Sequence, residues 1–210
     1  SITIVSDEAY PAYSRPLISE YLSGERSLEK MLYRPPDFYG KNSIDTRLGQ
    51  RVARLHLEAR QAELETGEKI GWEKLLLATG GAPIVPAMEG MGRRSIFTFT
   101  TLDDARAMEE LKGEVRKVVV IGGGLIGMSV TEALVKLGLE VAVVELMDQV
   151  LGTLLDEPAS RLVEKALVQE GVKLFTGRTV KAVLGQEGDE AEVGGAVLSD
   201  GQKLECDLLV

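Results

Sequence analysis

Short apolar runs that stop at an acid or a glycine alternate along this chain with stretches of helical spacing. Val118–Ile121 is apolar throughout, as a parallel strand buried on both faces would be. Ile126, Val130, Ala133, Leu134 and Leu137 then recur on one helical face. Lys136 falls in the last turn and Gly138 just beyond it, where a helix end favours a cation and then a left-handed residue. Val141–Val144 is the next apolar run, and Glu145 ends it. The chain opens on the same pattern, with Ile2–Val5 leading into Asp7 and Glu8. LDDARAMEELK reads as an amphipathic helix capped by Asp103 and Asp104. Asp156-Glu157-Pro158 opens a further helix that Gly171 ends. Between Ile44 and Leu77 short strands alternate with turns, and Asp200-Gly201 marks a hairpin. This order predicts an α/β fold: two Rossmann-like units with parallel sheets, each carrying a small antiparallel meander.

Gly122, Gly124 and Gly127 stand at G-x-G-x-x-G spacing between the Val118–Ile121 strand and its helix. Each glycine has a separate task in such a loop. Gly122 permits the tight turn, Gly124 lets a pyrophosphate approach the backbone, and Gly127 lets helix and strand pack closely. The first helical N–H groups, from Leu125 and Ile126 onward, then face the phosphates. Glu145 can accept hydrogen bonds from both ribose hydroxyls and would repel a 2′-phosphate, which favours NADH over NADPH. The competing reading is a glycine-rich strand–helix turn in another α/β fold. The glycine spacing alone would not decide between them; strand, loop, helix, strand and acid in this order favour the dinucleotide site.

A repeat organises the rest. LETGEKIGWEKLLLATG, starting at Leu64, aligns with LSDGQKLECDLLV, starting at Leu198. Gly67 then falls on Gly201, Lys69 on Lys203, Ile70 on Leu204 and Glu73 on Asp207. Glu8 takes the place in the first copy that Glu145 takes in the second. The expected division is a first nucleotide unit over 1–112 and a second over 113–210. In the first copy the strand, glycine loop and helix that should precede Ile2–Val5 are expected upstream of Ser1, and the second copy is expected to continue past Val210. The 210 residues by themselves are therefore expected to bind NADH measurably through the second copy, and a nucleotide weakly or not at all through the first.

The formal net charge of −9, with no basic cluster beyond Arg93-Arg94, argues against nucleic acid and anionic membrane as partners. The longest uncharged apolar stretch, Val118–Val130, is too short to span a bilayer. Cys206 is the sole cysteine, so neither an internal disulfide nor a dithiol relay is available, and a cytoplasmic setting is expected.

The stretches ITIVSDEAYPAYSRPLIS, NSIDTRLGQRV, WEKLLLATGGAP and FTFTTLDDA, together with the glycine segment, resemble the FAD-dependent pyridine nucleotide-disulfide oxidoreductases. Within that family the likeness is to the NADH-dependent rubredoxin, ferredoxin and nitrite reductase-type branch. The resemblance implies an enzyme in which the first unit binds FAD and the second NADH. A hydride would pass from NADH to the flavin, and electrons then to a small redox protein or a small-molecule acceptor. Rubredoxin, ferredoxin, oxygen, a quinone and a nitrite-reducing partner all stay open as acceptors. In the family a third domain covers the flavin and helps form a homodimer; these residues do not include it. By position, Glu8 matches the acid on the FAD adenosine ribose and Arg15 the basic residue beside the FAD. Val52 matches the position whose backbone meets the adenine, and Ala78, Thr79 and Gly80 match the turn that closes on FAD. Simpler readings stand beside these: a solvated strand end, a surface arginine, a plain strand residue and a strand-ending turn. No residue is expected to act as acid or base. The alternative is a non-catalytic dinucleotide-binding module that takes NADH but not FAD.

The chain departs from the family at Glu20, where Lys is usual, and at Ala82 or Ile84, where Arg is usual. It also has Ser129 where Glu is usual. Each change removes a charge expected around the flavin or nicotinamide. No C-x-x-C pair is present, so a dithiol mechanism is not supported. His56, between Leu55 and Leu57, reads as a strand surface residue, and Cys206 as a packing residue in the slot that Trp72 fills in the first copy.

Overall fold

β-branched runs form the strands of a computed structural model that describes residues 1–111 and 113–210. In chain order the first elements are β1 (Ile2–Ser6), a 3-10 turn (Arg15–Leu17) running into α1 (Ile18–Leu22), α2 (Leu28–Met31) and α3 (Phe38–Lys41). Next come β2 (Ile44–Leu48), β3 (Val52–His56), β4 (Gln61–Leu64), β5 (Lys69–Gly71) and α4 (Leu102–Glu110). Then follow β6 (Lys117–Ile121), α5 (Leu125–Lys136), β7 (Glu140–Val144), α6 (Glu157–Gln169) and β8 (Lys173–Phe175). The chain finishes with β9 (Val180–Gln186), β10 (Asp189–Leu198), β11 (Lys203–Glu205) and β12 (Leu208–Leu209).

Contacts divide the chain into two compact units, Ser1–Ser14 with Leu28–Gly81, and Arg15–Ser27 with Ala82–Val210. These contacts cut across the expected division at 112 and 113, and Lys112 itself lies outside the described residues. The physical reason is that residues 88–97 run as an added edge along the second unit. Val183 N–H donates to Glu89 C=O at 2.8 Å, Arg94 N–H to Ala191 C=O at 2.7 Å and Phe97 N–H to Leu209 C=O at 2.9 Å.

In the second unit β12, β6, β7 and β8 form a parallel sheet in that order. Val118, Val119, Val120, Val141, Val143 and Val144 are all buried, which explains their unbroken apolar run. Val119, Val144 and Leu209 join Val180, Val183, Val193, Leu198 and Cys206 in one core between this sheet and the antiparallel β9–β10–β11 meander. Each such side chain contributes about 1.5–3 kcal/mol relative to exposure. Asp207 ties the base of β6 in place, accepting from Arg116 N–H at 2.8 Å and Lys117 N–H at 2.9 Å. From β6 the chain moves through α5 to β7 and β8 on one side, and returns as β12 on the other. The carboxyl end of β6 is therefore where the strand order reverses, the usual crevice for a ligand in such sheets.

The first unit holds a parallel pair, β1 with β2, and an antiparallel β3–β4–β5 meander. The internal likeness read from the sequence extends to atomic register. Ala62 pairs with Ile70 and Glu63 with Lys69, while Ala196 pairs with Leu204 and Val197 with Lys203. Leu64 N–H donates to Glu68 C=O and Gly67 N–H to Leu64 C=O; Leu198 to Gln202 and Gly201 to Leu198 repeat these bonds. Gly67 and Gly201 have φ of 86° and 87°. Trp72 N–H reaches Arg60 C=O as Cys206 N–H reaches Gly194 C=O, so the shared slot is borne out. The likeness also reaches the ends of β1 and β7, two residues away from the expected match: Gln50 N–H donates to Ser6 C=O and Glu8 N–H to Ser6 Oγ, as Arg178 N–H donates to Glu145 C=O and Met147 N–H to the Glu145 carboxylate, so Ser6 rather than Glu8 stands where Glu145 does. After the meanders the copies part: Leu208 and Leu209 are buried against β6, whereas Leu75, Leu76 and Leu77 are 43%, 86% and 63% exposed.

The caps follow the sequence in part: Asp104 and Asp156 cap as expected, whereas Asp103 lies in the first turn of α4 and the N-cap itself is Thr101. Thr101 begins α4 and its hydroxyl accepts from Asp104 N–H at 3.1 Å. The Asp104 carboxylate returns the favour to Thr101 N–H at 2.8 Å and also takes Thr100 N–H at 2.7 Å. This is a capping box rather than an acid pair. Asp156 caps α6 through Ala159 N–H at 3.1 Å.

Candidate functional site

Gly122 follows β6 directly and turns the chain at φ 106°, its N–H held by Val144 C=O at 2.8 Å. Gly124 is the N-cap of α5, and a Cβ built on it would meet nothing within 4 Å. That open space lies in front of the helix N-terminus. Leu125 and Ile126 form the exposed first turn, whose N–H groups have no partner within the helix. A Cβ on Gly127 would stand 1.9 Å from the Gly122 carbonyl oxygen, so only glycine fits this crossing. The three glycines thus meet three different constraints: a left-handed turn, an open approach and a close backbone contact.

Glu145 stands beside this loop at the end of β7. One carboxylate oxygen accepts from Gly123 N–H at 2.5 Å, the other from Met147 N–H at 2.6 Å. The carboxylate is therefore fixed in direction. Each oxygen keeps acceptor capacity, since an ionised carboxylate offers about four lone-pair sites. A positive helix end and an aimed carboxylate side by side suit a phosphate joined to a diol. The pattern of residues fits a dinucleotide on the observation that a Cβ would block the loop at Gly127 and not at Gly124.

Gly123 and Met147 were not among the residues singled out from the sequence. The run of three glycines carried a signal for the first; nothing marked the second, which takes part through its backbone. Leu151 is a further surprise. It has φ 52°, unusual for a branched side chain, and its N–H donates to Gly123 C=O at 2.7 Å.

The residues matched to an FAD site are not gathered in one unit. Glu8, Val52, Ala78, Thr79 and Gly80 belong to the first unit and Arg15 to the second. The Glu8 carboxylate accepts from the Tyr13 hydroxyl, and the Glu8 carbonyl accepts from Gly49 N–H at 3.0 Å. Val52 begins β3 and pairs with Leu64 at an irregularity in the ladder. Ala78, Thr79 and Gly80 are exposed and outside any strand, with Gly80 at φ 66°. The Arg15 guanidinium donates to Thr100 C=O.

Two of the family departures fall together. Ser129 on α5 and Ser19 on α1 share a hydrogen bond of 2.8 Å between hydroxyls, and Glu20 next to Ser19 is paired with Arg26 at 2.6 Å. His56 pairs across the meander with Glu63 at 2.6 Å, which holds the Glu63 carboxyl below its usual range. Cys206 is buried, and burial, with a lesser part from the Asp207 charge, pushes its thiol up to about 12. It is a packing residue, as expected. Among the described residues no group of histidine, cysteine and acidic side chains could hold a metal, and no helix is long and apolar enough to cross a membrane.

Comparison with known proteins bears on the same points. The chain is 35% identical over its whole length to the NADH-dependent phenylglyoxylate dehydrogenase subunit epsilon of Aromatoleum evansii, covering 49% of that protein. It is 34% identical to the nitrite reductase [NAD(P)H] large subunit of Klebsiella oxytoca, again over its whole length, covering 21% of it. Among solved structures, a ferredoxin reductase from Rhodopseudomonas palustris matches all of the chain with a TM-score of 0.91 and 28% identity, over 51% of that structure. The chain thus spans about half, or less, of the length of these relatives. The family model described as pyridine nucleotide-disulphide oxidoreductase matches residues 1–210, and the chain belongs to that family.

Proposed function

We propose that the chain is the nucleotide-binding part of an NADH-dependent flavoprotein oxidoreductase. The observation that carries this reading is the Gly122–Gly127 loop with Glu145 fixed beside it. In this reading Gly122, Gly124, Leu125, Ile126 and Gly127 seat the NADH pyrophosphate, and Glu145 takes the adenosine ribose. In sequence, residues 113–210 are the NADH-binding stretch. Residues 1–112 are the FAD-binding stretch, with Glu8 on the ribose, Val52 at the adenine and Arg15 and Ala78–Gly80 against the rest of the cofactor. When bound, nicotinamide supplies a hydride and flavin accepts it and releases electrons singly or in pairs. The residues of the chain bind and orient; none is assigned as an acid or base.

The names of the relatives support a redox partner downstream. One is a ferredoxin reductase, one the epsilon subunit of an NADH-dependent phenylglyoxylate dehydrogenase and one the large subunit of a nitrite reductase. We assign a small redox protein or a partner subunit as the acceptor, and a cytoplasmic setting from the single buried thiol. The reading is tested by titrating the 210 residues with NADH and NADPH at one ionic strength. NADH should bind at least about tenfold more tightly, since a 2′-phosphate would face the Glu145 carboxylate. Equal affinities would remove Glu145 from its role. A dinucleotide module without redox chemistry would bind NADH too. The native protein separates the two, because only the oxidoreductase carries flavin absorbance that NADH bleaches.

A further inference from the structure

A series of hydrogen bonds runs from helix α6 to the glycine loop. The Ser160 hydroxyl, 0% exposed, donates to Val150 C=O at 2.7 Å. Val150, also 0% exposed, donates its N–H to the Glu164 carboxylate at 3.3 Å. Leu151 N–H donates to Gly123 C=O, and Gly123 N–H to Glu145, which Met147 N–H holds from the other side. The loop between Met147 and Leu155 is closed on itself. Leu154 and Leu155 N–H both donate to Leu151 C=O, and the Gln149 amide donates to Leu155 C=O at 3.0 Å. Leu151 keeps a left-handed backbone that persists only where its surroundings enforce it.

The contact with the glycine loop is steric as well as polar. A Cβ on Gly123 would meet Val150 Cγ1 at 3.1 Å and the Glu145 carboxylate at 3.2 Å. Val150, Gly123 and Glu145 therefore sit in one packed stack, and a shift of the first passes to the other two. We propose that Ser160 and Leu151 are positioning residues for the dinucleotide site. The α6 hydroxyl fixes the 147–155 loop, that loop fixes Gly123, and Gly123 sets the direction of the Glu145 carboxylate. Nucleotide preference is then controlled in part by a buried serine that touches no ligand. The proposal rests on the reading that this loop seats NADH.

The test compares wild type with Ser160→Ala and Leu151→Pro. Ser160→Ala removes the donor to Val150. Leu151→Pro removes the N–H that donates to Gly123 C=O, and its ring cannot adopt the left-handed backbone. NADH and NADPH affinities are measured by titration where thermal melts show each protein folded, and hydrogen exchange is followed at the Gly123 amide. Both variants should bind NADH about fivefold to tenfold more weakly, with NADPH changed less, and should exchange the Gly123 amide faster. If NADH and NADPH affinities stay at wild-type values in both, or fall together by one factor, Ser160 and Leu151 are packing residues and the proposal is wrong. If wild type itself shows no preference for NADH, the functional reading fails first and this one with it.

Discussion

Alanine at Gly127 and alanine at Gly124 should damage the protein in different ways, although the two glycines belong to one loop. At Gly127 the added methyl would lie 1.9 Å from the Gly122 carbonyl oxygen and 3.0 Å from its carbonyl carbon. Ordinary contact begins near 3.4 Å, so backbone must part by more than an ångström, and neither atom belongs to a flexible side chain. Overpacking of this kind costs about 1–3 kcal/mol. In a domain of this size that lowers Tm by about 2–4 °C for each kcal/mol. The same shift moves the first turn of α5 off the phosphate position, so NADH affinity should fall as well. At Gly124 the methyl meets nothing within 4 Å and φ is −81°, so the backbone accepts it. The stability cost is the loss of a favourable N-cap, about 0.5–1 kcal/mol. NADH affinity should nevertheless fall about tenfold or more, because the methyl occupies the space where a pyrophosphate must approach backbone. The assay is a thermal melt paired with an NADH titration on each variant. A Gly124→Ala protein that binds NADH like wild type would refute the reasoning, as would a Gly127→Ala protein with unchanged Tm.

Glu145→Gln removes the charge but keeps an acceptor, and should bring NADPH affinity to within about threefold of NADH; a competition titration reads this directly. Asp104→Ala strips four acceptor contacts from the start of α4 and should cost about 1–2 kcal/mol in urea unfolding. The Cys206 thiol should resist alkylation in the folded protein and react once urea unfolds it. Its raised pKa also sets a pH dependence. Between the ordinary value of 9.0 and about 12 the unfolded chain releases this proton while the folded one keeps it. The thiol's contribution to stability is thus full below pH 9 and lost as pH rises through that window. Cys206→Ala should flatten that part of a stability–pH profile.

What the sequence made legible was the geometry set by local chemistry. The β6–loop–α5–β7 unit could be read because its glycine spacing, its helical face and its terminal acid agree with one another. The hairpin likeness was legible because Gly67 and Gly201 need a left-handed backbone at the same place in the register. Two features were not legible. Residues 15–27 and 82–111 precede Gly122 in order yet belong to its unit: α1 packs on α4 and α5, and residues 88–97 pair through their backbone with β9, β10 and β12, contacts that no local motif announces. The Leu151–Gly123 contact was hidden for the same reason, since the donor and acceptor are main-chain groups and leucine is a poor marker for φ 52°. The acid of the second copy was legible, but its counterpart in the first was not: Ser6, two residues before Glu8, makes hydrogen bonds that match those of Glu145, and a serine at a strand end gives no sign of that place.

The three leucines at 75–77 carry a consequence for handling the polypeptide. A consecutive aliphatic run left open to water is a seed for intermolecular association. Colloidal behaviour should follow from that tract more than from the net charge of −9. Light scattering should rise with concentration, and an aspartate or lysine at Leu76, whose side chain is 86% exposed, should suppress it without loss of fold.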